Sequence, residues 1–336
     1  MKYLFIIKRT NDIFYEKSLV ARIIRLCLSE RIHYEIIIVE PYMQEETIVK
    51  MKVAAADGEP MRIIVCGTHS TLHFTINGCA DAKNLEIGYL PSDKILDVFS
   101  VFDHISPNLT WNVENLLYGS AVDMDLIKVN NRYCVLAANI GADARFSQIR
   151  NWISSHLLNL SKRTACSNFL TAFIAWLAVL TKDRDDEVKL VINGYEELIE
   201  KYNLIVFANS RSYGNGFICA PEAKNDDGQT DLYLMRRISL WHSPSIVRHY
   251  QNGKLFQNEY MKRRGINVCR RVVKAELTFP NPVDVSLDGC LYVRDAFVEI
   301  ETIPAAIKFI LPNLSLSETK ITMDHLGQSS NDLTGA

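Results

Sequence analysis

Short apolar runs alternate with amphipathic segments along the first 126 residues of the chain. Four runs have strand character, and in the segments between them apolar positions recur at helical spacing. The predicted strands cover 3–7, 33–40, 61–67 and 85–91, and the predicted helices cover 16–32, 45–59, 70–80 and 92–102. Such alternation is typical of a doubly wound parallel sheet, in which ligands bind at the carboxyl ends of the strands.

From about residue 126 the pattern changes to closely spaced apolar strands separated by turn residues. This favours a largely antiparallel, β-sandwich-like domain, interrupted by helices near 146–182 and 243–256. Residues 305–312 have the character of a last strand or helix that packs back on the first domain. The predicted fold class is α/β plus β, with a doubly wound parallel α/β domain at 1–126 plus 306–325, a β-rich domain at 127–305 and a disordered tail at 326–336.

Length and composition agree with two folded domains. The 336 residues exceed one typical core, and the 48% of apolar and 23% of charged residues are usual for a folded soluble protein. A formal net charge of −2 gives no general attraction to nucleic acid. The apolar stretch 165–180 is shorter than the roughly 20 residues of a membrane span. Eight scattered cysteines without a CxxC pair, and an N-terminus with strand character, lead us to expect a cytoplasmic protein with reduced thiols.

The stretch VCGTHSTLHFTING at 65–78 carries the first candidate site. His69 and His73 would share one face of a helix, so both could reach one metal ion. Zinc would need a third protein ligand, and the zincin pattern has Glu directly after the first His, where this chain has Ser70. A strand that ends in glycine and opens into a helix is also how backbone N–H groups hold phosphates. A phosphate loop and a metal site are both open at this point.

The order of motifs resembles the diacylglycerol kinase catalytic family, which includes sphingosine kinases and bacterial lipid kinases. That family has Gly-Gly-Asp-Gly-Thr after an apolar strand, then an apolar helix start and Asn-Gly. In this chain the same register gives Gly67, Thr68, His69, Ser70 and Thr71, followed by Asn77-Gly78. The family's next loop, Gly-Thr-x-Asn-Asp-Phe, matches the segment from Asp93 to Val98.

The second half is more similar to the family. An Asn, a Gly-x-Gly, a Pro-x-Ala and an Asp-Gly-x-x-Asp follow one another, and a later strand ends in Asp-Gly. The matching residues are Gly141, Asn209, Gly214, Gly216, Pro221, Ala223, Asp227, Gly228, Asp231, Asp288, Gly289 and Cys290. Nicotinamide-nucleotide kinases share the first loop, but the segments around Asp227 and Asp288 favour the lipid kinases.

The resemblance implies ATP-dependent phosphorylation of a lipid hydroxyl, with magnesium, peripheral membrane contact and a ligand site in the cleft between the domains. It makes residues 67–71 and Asp97 the nucleotide site and Asp288 with Cys290 the catalytic site. It also implies a structural Mg²⁺ held by the Asp227 carboxylate and the backbone oxygens of Lys224 and Gln229, a ligand set that suits a hard cation. An Asp-Gly turn that merely joins two strands is the alternative.

Several residues depart from the family pattern. Thr68 and Ser70 replace two glycines that let the backbone approach the ATP phosphates. His69 replaces the acid of the loop, and imidazole is a poor ligand for Mg²⁺, which prefers oxygen. In the second loop, Asp93, Lys94 and Leu96 replace Gly, Thr and Asn, while Asp97 is kept. Cys290 stands where the family has the carboxylate that acts as general base, and a thiol acts as a base only when it is ionised.

These substitutions argue against ATP binding and predict a catalytically degenerate member that binds a lipid or a partner protein. The alternatives are an active lipid kinase that uses Asp97 and Asp288 around magnesium, and a metal-dependent enzyme built on His69 and His73. The basic runs 262–264 and 270–271 would face anionic lipid headgroups, or would simply be solvated. The sequence does not indicate the lipid, and it leaves the oligomeric state open, a dimer included.

Overall fold

The computed structural model divides the chain into two compact units. One consists of 1–95, 103–124 and 306–336, and the other of 96–102 and 125–305. The residues that the structure describes are 1–10, 12–40, 44–92, 97–102, 112–141, 144, 187–213, 218, 220–236, 253–254, 257, 259 and 267–313.

Strand and helix alternate in the first unit. Its strands are β1 (Lys2–Lys8), β2 (Tyr34–Val39), β3 (Met61–Gly67) and β4 (Leu85–Pro91), and its helices are α1 (Ile13–Ser29), α2 (Gln44–Ala55), α3 (His69–Asn77) and α4 (Val113–Leu117). All strand pairs are parallel, in the order β2-β1-β3-β4, and Lys308–Ile310 of the last strand pair with β4. Apolar side chains from β1, β3, α1 and α4 form its core. Because the strands are parallel, the carboxyl ends of β1 and β3 lie at the same edge of the sheet.

The second unit is built mainly from antiparallel strands. Its strands are β5 (Ser120–Val129), β6 (Arg132–Cys134), β7 (Ala137–Gly141), β8 (Glu187–Ile192), β9 (Glu196–Ala208), β10 (Thr230–Arg236), β11 (Asn267–Val272), β12 (Lys274–Leu287) and β13 (Leu291–Leu311), of which 125–129 and 291–305 are the parts of β5 and β13 in this unit. They pair in the order β11-β10-β9-β7-β12-β13, and β8 pairs with β9 and β12. Alternate residues of these strands form a core that includes Ile140, Phe207 and Leu287.

The strand pairings thus change from parallel to antiparallel, as the sequence pattern predicts. One helix prediction was wrong: within 92–102, the described residues Asp97–Phe99 form a single 3₁₀ turn. The carbonyl oxygens of Asp97 and Phe99 accept bonds from N–H groups three residues later, and buried contacts of Asp97 hold this tighter turn. Residues 305–311, for which strand and helix were both open, are the end of β13.

Within the described part of the chain, no helix is both long and apolar enough to cross a membrane. The six cysteines that fall in this part are all free thiols, as expected for reduced cysteines. The apolar stretch 165–180, the helices predicted near 146–182 and 243–256, and the tail 326–336 lie outside the described residues.

Candidate functional site

The last position of β3 requires glycine because another residue approaches closely. A Cβ atom on Gly67 would lie 2.7 Å from the hydroxyl oxygen and 2.9 Å from the Cβ atom of Thr71. Real Cβ atoms do not make contacts this short, so any larger residue would push α3 away from the strand. Gly67 therefore sets how closely α3 begins to the carboxyl end of β3.

The first turn of α3 gathers one cation and two hydroxyl groups. Thr68 is the N-cap residue, but its side chain does not cap the helix. Its hydroxyl instead accepts a bond from Lys8 Nζ at 3.0 Å and lies 2.8 Å from the hydroxyl of Ser70. A helix N-terminus with a nearby lysine favours an anion. However, Thr68 and Ser70 stand where the phosphate loop of the diacylglycerol kinase family, which the chain resembles, has glycine. Their side chains contact each other in this position.

His69 and His73 lie one turn apart on α3, as predicted, but they have different surroundings. The ring of His69 packs 5.9 Å from that of Tyr89, and its Nε2 is buried without a hydrogen-bond partner. His73 is 1% exposed and contacts Asn77. Among the described residues, no three His, Cys, Asp or Glu side chains are grouped so that they could hold a metal ion. The zinc alternative therefore finds no third ligand in this part of the chain.

Asp97, the acid kept in the second loop, is buried and bonded within its own unit. It is 3% exposed. Its Oδ1 accepts a bond from the hydroxyl of Ser212 at 2.8 Å, and its carbonyl oxygen accepts one from Ser210, also at 2.8 Å. Ser100 contacts the Ser210 hydroxyl as well. Asp97 therefore fastens the segment after β9 to the 3₁₀ turn. The substituted residues of this loop, Asp93, Lys94 and Leu96, lie outside the described residues.

Asp288 is an acceptor for a row of backbone N–H groups. Its Oδ1 accepts bonds from Leu136 at 2.8 Å and Ala137 at 3.1 Å, and its Oδ2 accepts one from Val135 at 3.0 Å. The residue has a φ of 50°, which Asp tolerates better than most residues, and it is 8% exposed. The carboxylate thereby holds the turn between β6 and β7, and each of its oxygens already has a donor.

Cys290 has the bonding of a protonated thiol. Its Sγ donates to the carbonyl oxygen of Leu287 at 3.5 Å, and its backbone N–H donates to the same oxygen at 3.0 Å. The nearby Cys134 is also unsuited to act as a base. Burial, and then the negative charge of Asp288, raises the pKa of the Cys134 thiol well above its ordinary value.

The carboxylate of Asp227, the candidate magnesium ligand, is paired with an arginine. Its Oδ1 accepts a bond from the N–H of Gln229 at 3.1 Å, and its Oδ2 lies 3.2 Å from Arg271 Nη1. Arg271 Nε also lies 3.5 Å from Asp231, whose pKa is raised by burial although the arginine opposes this. The guanidinium supplies the positive charge that a metal ion would bring. The turn from Lys224 to Gln229 therefore does not fit a resident Mg²⁺.

Arg270, the other residue of the basic pair 270–271, also has an acidic partner. Arg270 lies 3.6 Å from Glu196, so both arginines at 270–271 have acidic partners within their unit. The other basic run, 262–264, lies outside the described residues.

Three functionally relevant contacts were missed by the sequence reasoning. They are the reach of Lys8 to Thr68, the pairing of Arg271 with Asp227, and the role of Asp125, which accepts bonds from the N–H groups of Gly228 and Ala305. Lys8 could have been found, because it ends the strand next to β3 in a parallel sheet. The other two join residues that are 44 or more positions apart in sequence, and no local pattern indicates them.

Comparisons with known proteins show the family to which the chain belongs. Residues 137–310 match the family model described as "YegS C-terminal NAD kinase beta sandwich-like domain". A protein of Shewanella frigidimarina named "Probable lipid kinase YegS-like" is 24% identical over 272 residues, which are 75% of this chain and 76% of that protein. A protein of Mycobacterium tuberculosis named "Diacylglycerol kinase" is 28% identical over 141 residues, 42% of this chain and 43% of that protein.

The fold has a counterpart among solved structures. The crystal structure of a protein described as a diacylglycerol kinase from Bacillus anthracis superposes with a TM-score of 0.61 at 14% sequence identity. The superposition covers 93% of this chain and 97% of that one. At 14% sequence identity, this similarity is evidence for a shared fold alone.

Proposed function

The chain belongs to the family of diacylglycerol-kinase-like lipid kinases that carry the YegS C-terminal domain, and on this premise we propose that it binds a lipid without transferring phosphate to it. One observation carries the proposal: the two carboxylates kept from the catalytic motifs, Asp97 and Asp288, both serve as hydrogen-bond acceptors inside the second unit. They hold backbone turns in place. From the same family membership we propose the domain layout, which is a doubly wound α/β domain followed by a β-sandwich-like domain.

Phosphoryl transfer needs charge neutralisation by magnesium and a group that receives the proton of the attacking hydroxyl. The Asp288 carboxylate already accepts bonds from the N–H groups of Val135, Leu136 and Ala137, which orient it toward the turn between β6 and β7. Cys290, at the position of the general base, donates a hydrogen bond to the carbonyl oxygen of Leu287. His69 is a poor magnesium ligand at the position of the loop acid. The residues present therefore do not fit the catalytic metal site, and no reaction step is assigned to them.

A second candidate function is that of an active ATP-dependent lipid kinase. It is favoured by the cluster of Lys8, Thr68 and Ser70 at the N-terminus of α3, where a cation and helix N–H groups would attract phosphate. The hydroxyls would have to rotate away from each other to admit it. Peripheral contact with a membrane belongs to both candidates, since both require a lipid.

Thermal-shift titration with ATP and Mg²⁺, together with extraction of lipids from the purified chain, tests the proposal. A ligand that binds the folded state alone raises Tm by mass action. We expect no saturable rise at millimolar ATP and a co-purified lipid that mass spectrometry detects. A saturable rise, with phosphate transferred from labelled ATP to dioleoylglycerol, would establish the active kinase. Absence of both nucleotide and lipid binding would contradict both candidates.

A further inference from the structure

A cavity of about 290 Å³ lies at the amino edge of the parallel sheet, opposite the edge that carries the loop at Gly67. One wall is the segment that joins α2 to β3, and the other is the segment that joins α3 to β4. Ligand pockets in proteins range upward from about 300 Å³, so this cavity suits a small molecule. Its lining residues all belong to the first unit, and none of them belongs to the phosphate loop.

Hydrogen bonds of Asn84 hold the two walls of the cavity together. Its Nδ2 donates to the carbonyl oxygen of Gly58 at 3.1 Å, and its own carbonyl oxygen accepts a bond from the N–H of Met61 at 3.1 Å. Within the first wall, the N–H of Glu59 donates to the carbonyl oxygen of Ala56 at 2.9 Å. The backbone around the cavity is therefore fixed before a ligand binds, which lowers the entropy that binding costs.

The half-buried part of the lining is apolar. It consists of Val53, Ala56, Ala82 and Leu85, which contribute only carbon atoms from their side chains. A polar ligand group against these side chains would lose its water without gaining a hydrogen bond. The part of a ligand that enters the cavity is therefore aliphatic.

Three charged side chains of the lining have no partner of their own. Among the described residues, the side chains of Asp57, Glu59 and Lys83 form neither an ion pair nor a hydrogen bond, and all three are exposed. Asp57 and Glu59 follow the C-terminus of α2, where the negative end of the helix dipole adds to their attraction for a cation. Lys83 belongs to the other wall and attracts an anion. The two walls thus offer opposite charges to one ligand.

We propose that this cavity binds a small aliphatic zwitterion, of which an α-amino acid such as L-leucine is the simplest case. The ammonium group pairs with Asp57 and Glu59, the carboxylate pairs with Lys83, and the side chain lies against the apolar lining. A ligand with a cation alone leaves Lys83 without a partner, and a ligand with an anion alone leaves both carboxylates without one. The site is separate from the proposed lipid binding, so either can fail without the other.

Isothermal titration of the full chain with L-leucine tests the proposal. Two analogues of the same shape are isoamylamine, which lacks the carboxylate, and 4-methylvalerate, which lacks the ammonium group. We expect saturable binding of leucine and about tenfold weaker binding of each analogue, because each loses its hydrogen bonds to a charged group.

Substitutions in the lining locate the bound leucine. Lys83→Met should weaken leucine binding about tenfold and leave isoamylamine binding unchanged, because this analogue has no carboxylate for the lysine. Glu59→Gln should weaken the binding of both, and Ala82→Leu should abolish it by filling the cavity. Lys50→Met is the matched control, since Lys50 is an exposed lysine of α2 outside the cavity lining, and it should bind leucine as the wild type does. Measuring Tm of each ligand-free variant separates weaker binding from unfolding.

Three results would overturn the proposal. The first is the absence of saturable leucine binding to the wild type at millimolar concentration. The second is binding of isoamylamine as tight as that of leucine, which would make the cavity a site for a cation alone, such as a polyamine or a lysine of a partner protein. The third is unchanged leucine affinity in folded Lys83→Met and Ala82→Leu, which would show that leucine binds elsewhere on the chain.

Discussion

Asp288 shows how a residue kept from a catalytic motif can act as a structural one. Replacing it with Asn preserves its size and tolerates its positive φ. However, the substitution removes the charge and turns one acceptor into an NH₂ group that faces backbone donors. We expect Asp288→Asn to lower the free energy of unfolding by about 1.5–3 kcal/mol, the range for hydrogen bonds to a charged group. Urea unfolding measures this change.

The matched control for this prediction is Asp284→Asn on β12, the strand that Asp288 follows. Asp284 Oδ1 is 4.0 Å from Arg294 Nε, and because the arginine side chain is 59% exposed this is a surface ion pair. Such pairs contribute about 0–1 kcal/mol, so the control should change stability little. Equal effects of the two substitutions would show that the N–H bonds of Asp288 do not hold the turn between β6 and β7.

Individual site residues were only partly predictable from the sequence. The substitutions at Thr68, His69, Ser70 and Cys290 are visible in the sequence, because each is defined by its place in a motif. What Asp288 bonds to is not visible, since its donors lie more than 150 positions earlier in the chain. A motif therefore predicts where a side chain is, while its partners depend on strand pairing that short spacing does not encode.

At the scale of the element, an arginine on one strand holds the turn 224–229 that leads into β10. Arg271 on β11 pairs with Asp227 in that turn and with Asp231 on β10, which is directly opposite it in the strand pair. We expect Arg271→Met to lower the free energy of unfolding by about 1 kcal/mol, since it leaves the buried Asp231 without its cation. We also expect millimolar Mg²⁺ to raise the Tm of this variant, because Asp227 is then free to bind a cation.

The neighbouring substitution Arg270→Met serves as the comparison, because Arg270 pairs with Glu196 and not with Asp227. It should leave Tm insensitive to Mg²⁺, and EDTA should not change the Tm of the wild type. A drop in the wild-type Tm on adding EDTA would mean that a metal ion, rather than Arg271, stabilises this turn.

At the scale of the whole chain, the change from parallel to antiparallel strand pairing was predictable. The parallel part followed from alternating apolar runs and helical segments, and the strand limits of β3 and β4 agree with the prediction to the residue. The antiparallel part was predicted as a class, but its order was not, because β7 pairs with β9 and β12 across long stretches of sequence. The segment 92–102 was predicted as a helix because its apolar spacing is helical, yet tertiary bonds of Asp97 favour a 3₁₀ turn.

The relation between fold and chemistry can be tested by restoring the phosphate loop. In the variant Thr68→Gly, His69→Asp, Ser70→Gly, the hydroxyl cluster at the start of α3 is removed while Lys8 and the helix N-terminus remain. We expect ATP with Mg²⁺ to raise the Tm of this variant saturably, because the backbone N–H groups become accessible to phosphate. We expect no phosphorylation of dioleoylglycerol, since Asp97, Asp288 and Cys290 keep their structural bonds. Isothermal titration and labelled ATP measure the two effects separately.

If the triple variant gains no affinity for ATP, the register that aligns Gly67–Thr71 with the kinase loop is wrong. If it gains both affinity and turnover, the substituted loop alone separates this chain from an active lipid kinase.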